Sequence, residues 1–593
     1  MENKWDFKRL FKSEEEFSAA YDAVSNEIEK ISSFKNHLIT KQEIEDYLAF
    51  DEKLEKDFIK VYHYIFFAYS IDSKNPKVQE RLGKGLNLMS KYQEAVSFIP
   101  QEILKNNIEK YRDFAKTSKI IKEHLFSFES LNRTKEHVLP ADKEELLSKY
   151  TKVINGYAKL HEDLSNADRL SVMVKLSDGR EIEVTDINYT TFLETLENQD
   201  DRRLVFEAVF RYYSIHKNTY ASIYNGVVQK DIANMRAEGY KNILDSFMYS
   251  SNIPTAVYTS LVKTASTRTK PLKKYLELRR KVLGVETYHT YDRFRPLATS
   301  DKKFSYDEAK KLFLKATQTL GEDYYEHALR VIEDGRVDVF PKDGKQGGAY
   351  SASVGDLGPF ILLNHTESLG DVFTLAHEGG HSMHTLYADE NQPDATKDYK
   401  IFVAEIASTF NEHLLCDYLL DNTEDADTKI VLLQNKIDSL IATFYRQTLF
   451  AEFELIAHNM AIDGKTLTYE ALSGIMKNLY QKYYGIDLDN EKYKEFVWAY
   501  IPHMYGSPFY VYQYATSFSA SMKLYQDVRN NVDGAFSRHI NLLKSGGSDY
   551  PVNLVKKAGV DLTTEEPFIA VSEYMQRLVN ELEILLTEKY NLK

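Results

Sequence analysis

Residues 377–384 read HEGGHSMH: three histidines, one glutamate and two adjacent glycines within eight positions. The apolar residues around them, Val372, Phe373, Leu375 and Ala376 before and Leu386 and Ala388 after, recur at helical spacing. On a helix, His377 and His381 fall about 40° apart on one face and one turn apart along it. Two imidazoles so placed can share a zinc ion at about 2.0–2.1 Å. Glu378, about 60° round the helix from His381, can reach a metal-activated water without ligating the metal. His384 follows His381 on the same face but lies two turns from His377, about 10 Å along the axis, too far to complete one ligand set. It is expected to back the ligands, to face substrate, or to be structural. The glycine pair costs a helix about 2 kcal/mol relative to alanine and needs a reason. Gly380, on the flank beside the metal face, is expected to admit something close, substrate backbone or a neighbouring strand, so that Gly380→Leu cuts activity before stability. Gly379 points to the back of the helix, and no catalytic reason for it is visible.

A catalytic zinc takes three protein ligands and keeps a position open. Downstream, IFVAEIASTFNEHLL (401–415) places Glu405, Ser408 and Glu412 at i, i+3 and i+7, one face of a second helix. Its surroundings, Ile401, Phe402, Ala404 and Ile406, are apolar. A carboxylate there is costly unless paired or metal-bound, so Glu405 is the expected third ligand; a solvated Glu405 on an ordinary amphipathic face is the alternative. Ser408 and Glu412 are expected to support the ligands. The metzincin pattern fails, because it needs glycine at 384 and histidine at 387, where this chain has His384 and Tyr387.

The whole chain fits this reading. Its 593 residues are 43% hydrophobic and 28% charged, a globular balance, and the net charge of −14 comes without a polybasic block, so no nucleic-acid partner is expected. Cys416 is the single cysteine, which excludes an intramolecular disulfide and any multi-thiolate zinc site. The opening MENKWDFKRLFKSEEEF lacks the apolar core of a signal peptide, and no run approaches eighteen apolar residues. A cytoplasmic protein with no membrane partner is expected. Only 13 prolines interrupt the chain, and 141–253 and 394–501 have none. Phe17, Tyr21, Val24, Ile28 and Ile31 form one of many amphipathic stripes, so the fold is mainly α. Strands are expected around Asp178-Gly179 (171–185) and in 335–365, where GRVDVFP, GGAYS and PFILLNH would make a small sheet just before the HEGGH helix. A boundary near 190–200 would separate an N-terminal helical region with a hairpin (1–195) from a catalytic region (196–593).

Taken together, these residues resemble peptidase family M3, and within it oligoendopeptidase F. That family's pattern is H-E-x-G-H-x-x-H followed by E-x-x-S-x-x-x-E, and both halves match here at every fixed position, from His377 to His384 and from Glu405 to Glu412. WDFKRLF, LSNADRLSVMV, DIANMRAEGYKNILDSFM, YDRFRPL and GGAYSASVGDLGPFILLNHT extend the likeness over nearly the whole chain. The resemblance implies two helical lobes around a deep channel with one zinc ion at its floor, admitting short peptides and excluding folded proteins. It implies a zinc endopeptidase in which Glu378 is general base and later proton donor. Short peptides are the expected partners, and a monomer or small homo-oligomer is expected. A zinc carboxypeptidase and a non-catalytic peptide-binding protein of the same fold are the alternatives.

The stretch YIPHMYGSPFYVYQYATSFSA (500–520) carries one histidine and five tyrosines. Ser507-Pro508 reads as a helix start, with His503 and Tyr505 on the preceding loop and Tyr510, Tyr512 and Tyr514 on the first turns. The resemblance makes His503 and Tyr512 the oxyanion donors, with Tyr510 next and Tyr505 after it. For substrate binding, the edge of the PFILLNH strand is expected to receive an extended peptide under a mobile loop of Gly347, Gly348 and Tyr350.

Overall fold

A computed structural model describes residues 3–592 except 141, 142, 144, 145, 148, 149, 151, 152, 154, 300 and 301. The chain forms two compact units, each built from three segments: 1–136, 302–418 and 524–560 in the first, and 137–301, 419–523 and 561–593 in the second. Helices dominate both, as the stripes predict. Glu14–Lys30, capped by Ser13, buries Phe17, Val24 and Ile28 from the first of those stripes. No helix among the described residues is long and apolar enough to cross a membrane.

Two short sheets are present. In the second unit β1 (Val172–Lys175) pairs antiparallel with β2 (Glu181–Val184) around the Asp178-Gly179 turn, where Gly179 takes a φ of 88°. In the first unit β3 (Val337–Asp338), β4 (Tyr350–Ser353) and β5 (Pro359–Leu362) lie in the order β3-β5-β4, β5 parallel to β3 and antiparallel to β4. The Trp5 indole donates to the carbonyls of Arg336 and Ile361, at 3.1 and 2.8 Å, and ties the start of the chain to this sheet.

Three helices of the first unit frame the site. α1 (Tyr306–Gln318) and α2 (Leu369–Asn391) each begin with a reciprocal cap, Ser305 with Glu308 and Ser368 with Asp371. α3 (Ile401–Asp421) is apolar on nearly every side and accordingly buried. In the second unit α4 (Arg446–Ile462) buries most of its length, and α5 (Tyr512–Arg529) follows the tyrosine-rich segment. Pro508 is not the first residue of that helix. A short helix, His503–Gly506, ends at Ser507, and the chain then turns at Phe509 with a φ of 55°, so α5 begins only at Tyr512.

Candidate metal centre

α2 and α3 together present His377, His381 and Glu405 as a group whose donor atoms lie within 4.8 Å of one another. The two Nε2 atoms are 3.2 Å apart, and Glu405 Oε2 is 3.5 Å from one and 3.6 Å from the other. An ion held tetrahedrally by bonds of about 2.05 Å separates its donors by about 3.3 Å, so two imidazoles and a carboxylate at these spacings fit zinc. Two of the three donors are held from behind by side chains. His377 Nδ1 is 2.5 Å from Glu412 Oε1, which leaves Nε2 for the centre, and Ser408 Oγ donates to Glu405 Oε2 at 3.0 Å. Burial disfavours a charged His377 ring, but the carboxylates of Glu412, Glu378 and Glu405 together outweigh it and hold that pKa up, to about 9. Burial and then the neighbouring His377 charge lower that of His381.

Glu378 is buried beside β4, and burial pushes its carboxyl up to about 7 against the pull of His377 and a Ser351 backbone N–H. β4 is fastened to α2 by the 2.8 Å bond between the Ser351 and Ser382 hydroxyls. His384 is buried and stacked on Tyr399, ring centres 3.5 Å apart, so it is a packing residue that burial keeps neutral.

Both glycines are accounted for by packing. A Cβ on Gly380 would stand 2.6 Å from the Ala407 carbonyl oxygen and 2.7 Å from Ser408 Cα. What Gly380 admits is therefore the backbone of α3, neither substrate nor a strand. A Cβ on Gly379 would meet the Phe313 ring of α1 at 2.7 Å. Nothing near position 379 in sequence signals Phe313.

Other expected substrate contacts are placed differently. β5 is the central strand, hydrogen-bonded on both sides, so PFILLNH offers no edge; β3 and β4 hold the two outer positions. Tyr350, half-buried, packs its ring on Trp5 and Phe66 against the core and donates its hydroxyl to Ser70 Oγ at 2.9 Å. Gly347 and Gly348 border open space, and the Asn364 amide anchors them by donating to the Gln346 and Gly348 carbonyls. Tyr505 is buried between His161, 3.8 Å away ring to ring, and Tyr224, so it is core.

In the second unit His503, Tyr510 and Tyr514 form one group. The His503 and Tyr510 rings lie parallel at 5.9 Å, and Tyr514 Oη is 3.4 Å from His503 Nε2. Tyr512, the tyrosine favoured from sequence, is 2% exposed and packs on Tyr258 at 5.1 Å. The two-residue offset has a simple cause: α5 starts later than Ser507-Pro508 implied, which turns Tyr512 inward and leaves Tyr514 with His503.

A His-Glu-x-x-His helix facing a glutamate-bearing helix defines the metallopeptidase class of site. The model of "Peptidase family M3" matches residues 192–574, and that of "Oligopeptidase F" matches residues 102–169. Oligopeptidase PepF of Bacillus subtilis is 35% identical over 99% of this chain and 87% of its own. Group B oligopeptidase PepB of Streptococcus agalactiae is 33% identical over 99% and 97%. Among solved structures, a putative peptidase from Chlamydophila abortus superposes with a TM-score of 0.88 at 28% identity, over 98% of both chains. Oligoendopeptidase-F from Enterococcus faecium gives 0.75 at 27%, over 97% of this chain and 99% of that one. The chain belongs to peptidase family M3, in its oligoendopeptidase F branch. Its activity is peptide hydrolysis.

Proposed function

We propose that the chain is a zinc-dependent endopeptidase of short peptides, the substrate class after which its relatives are named. The observation that carries this is the convergence of His377, His381 and Glu405 at tetrahedral spacing. Zinc bound there would supply Lewis acidity toward a water and a peptide carbonyl. Glu412 fixes the His377 ring so that Nε2 faces inward, and Ser408 fixes the Glu405 carboxylate. Glu378 accepts a proton from the attacking water on its carboxylate and returns it to the leaving amine. A carboxyl raised by burial toward neutrality suits both halves of that exchange. The outer position of β4 offers backbone groups to an extended peptide, which supports binding without reading side chains.

For the oxyanion, the family resemblance supports His503, and the local geometry supports Tyr514 and Tyr510 over Tyr512 as its phenolic companions. A functional division near residue 195 is supported by the start of the family M3 match at residue 192, although the compact units divide elsewhere.

Metal analysis with a peptide blocked at both ends tests this reading. About one zinc per chain, loss of cleavage on chelation and recovery on zinc addition are expected. Glu378→Gln should keep the zinc and lose nearly all turnover. Normal cleavage by that variant would overturn the mechanism, and failure to cut the blocked peptide would favour a carboxypeptidase.

A further inference from the structure

Phe509 is an unusual residue to find in the left-handed region. Most of the other non-glycine residues at positive φ are asparagines, whose short polar side chains ease that conformation; a buried phenylalanine has no such help. Its backbone N–H donates to Glu454 Oε1 on α4 at 2.9 Å. Glu454 is 1% exposed, and its other oxygen has no hydrogen-bond partner among the described residues. A carboxyl buried to satisfy one backbone N–H is costly where an apolar side chain would fill the same space. The environment beneath is built as a column. His458 Nδ1 contacts the Glu454 carbonyl at 2.8 Å, its Nε2 lies 3.2 Å from Asp231 Oδ2, and its ring packs on Phe509 at 4.7 Å. Phe247 and Tyr258 close round the same ring.

From this fixed point the chain leads directly to the group around His503. Tyr510 is the next residue, Tyr512 is held by the same Tyr258, and the Gln513 and Tyr514 amides donate to the carbonyls of Tyr510 and Val511. We propose that Glu454 is a positioning residue: by accepting the Phe509 N–H it locks the left-handed turn that sets His503, Tyr510 and Tyr514 relative to one another. This rests on the reading that those side chains serve peptide hydrolysis. Asp231, His458, Lys230, 3.3 Å from Asp231, and the phenols of Tyr224 and Tyr258 are the other charged or titratable groups around Glu454. None of them touches the Phe509 amide, so the acceptor role falls to Glu454 alone among them.

The test compares kcat, KM, zinc content and melting of E454Q, E454M, E454A, E454M/F509G and H503A on a fluorogenic peptide. E454Q keeps an acceptor and should stay within about twofold of the parent. E454M and E454A should lose about tenfold or more in kcat, with zinc content and KM little changed, because the donors are misplaced and the metal is not. Glycine takes a positive φ without strain, so E454M/F509G should regain part of the lost kcat although it removes a buried ring. Unchanged kcat in E454M, equal loss in E454Q, absence of rescue, or failure of both apolar variants to fold would each overturn the proposal. H503A separates the two levels: normal turnover in H503A overturns the oxyanion reading itself, whereas an impaired H503A beside a normal E454M overturns only the role of Glu454.

Discussion

Gly380 and Ser408 are in backbone contact: a single methyl on Gly380 would lie 2.7 Å from Ser408 Cα. The helix that supplies two histidines and the helix that supplies the glutamate are thus held at glycine distance, beside His381 on one and about one turn from Glu405 on the other. Gly380→Ala should push α3 away and lengthen the separation of Glu405 from both imidazoles. Stability and zinc affinity should fall together, the former by about 1–3 kcal/mol as for other overpacked sites. Thermal melting and zinc retention on dialysis check this; a variant that loses activity at unchanged stability would restore the substrate-side role expected from sequence.

Gly379 has a different neighbour and predicts a different remedy. Gly379→Ala collides with the Phe313 ring, itself buried on α1. Gly379→Ala should destabilise the protein, and Phe313→Leu in the same chain should return part of the loss by making room. Denaturant titration of the two single variants and the double variant measures the coupling. Simple additivity would mean the contact is unimportant.

Glu412 contacts the His377 ring on the side away from the candidate metal centre. Glu412→Gln keeps the shape but replaces a carboxylate with a neutral amide at the 2.5 Å contact to Nδ1. Zinc affinity should fall about 10–100-fold, the usual effect of removing a carboxylate behind a histidine ligand. Competition against a chromophoric chelator reads this directly, and unchanged affinity would contradict it.

Glu454 also makes a pH prediction. Burial raises its carboxyl from 4.5 to about 8 in the folded protein, with Asp231 adding to the effect and the Phe509 N–H opposing it. The unfolded chain releases that proton near pH 4.5 while the fold retains it, so this residue's contribution is full below pH 4.5 and declines up to about pH 8. Glu454→Gln cannot ionise. Its melting temperature should match the parent near pH 4, exceed it increasingly toward pH 8, and hold a constant advantage above that. A pH-independent difference would show that Glu454 does not titrate in this window.

The sequence by itself determined which residues make up the candidate metal centre and that helices carry them. His377, Glu378, His381, Glu405, Ser408 and Glu412 are legible because helical period converts spacing into a shared face, a local relation that needs no knowledge of the fold. The hairpin at Gly179 and the strands before α2 are legible for the same reason, since turn chemistry and alternation act over a few residues. Tertiary structure decided what those faces meet. Phe313 and Gly379 are far apart in sequence, as are Gly380 and Ser408, Glu454 and Phe509, and Tyr505 and His161, and nothing in their local spacing announces the contact. Strand order likewise depends on pairing between segments, so the sequence could not say that PFILLNH is central and Tyr350–Ser353 outermost. The exchange of Tyr512 for Tyr514 beside His503 follows from one left-handed residue at Phe509, a conformation that local preference opposes and that a buried carboxyl from another helix satisfies.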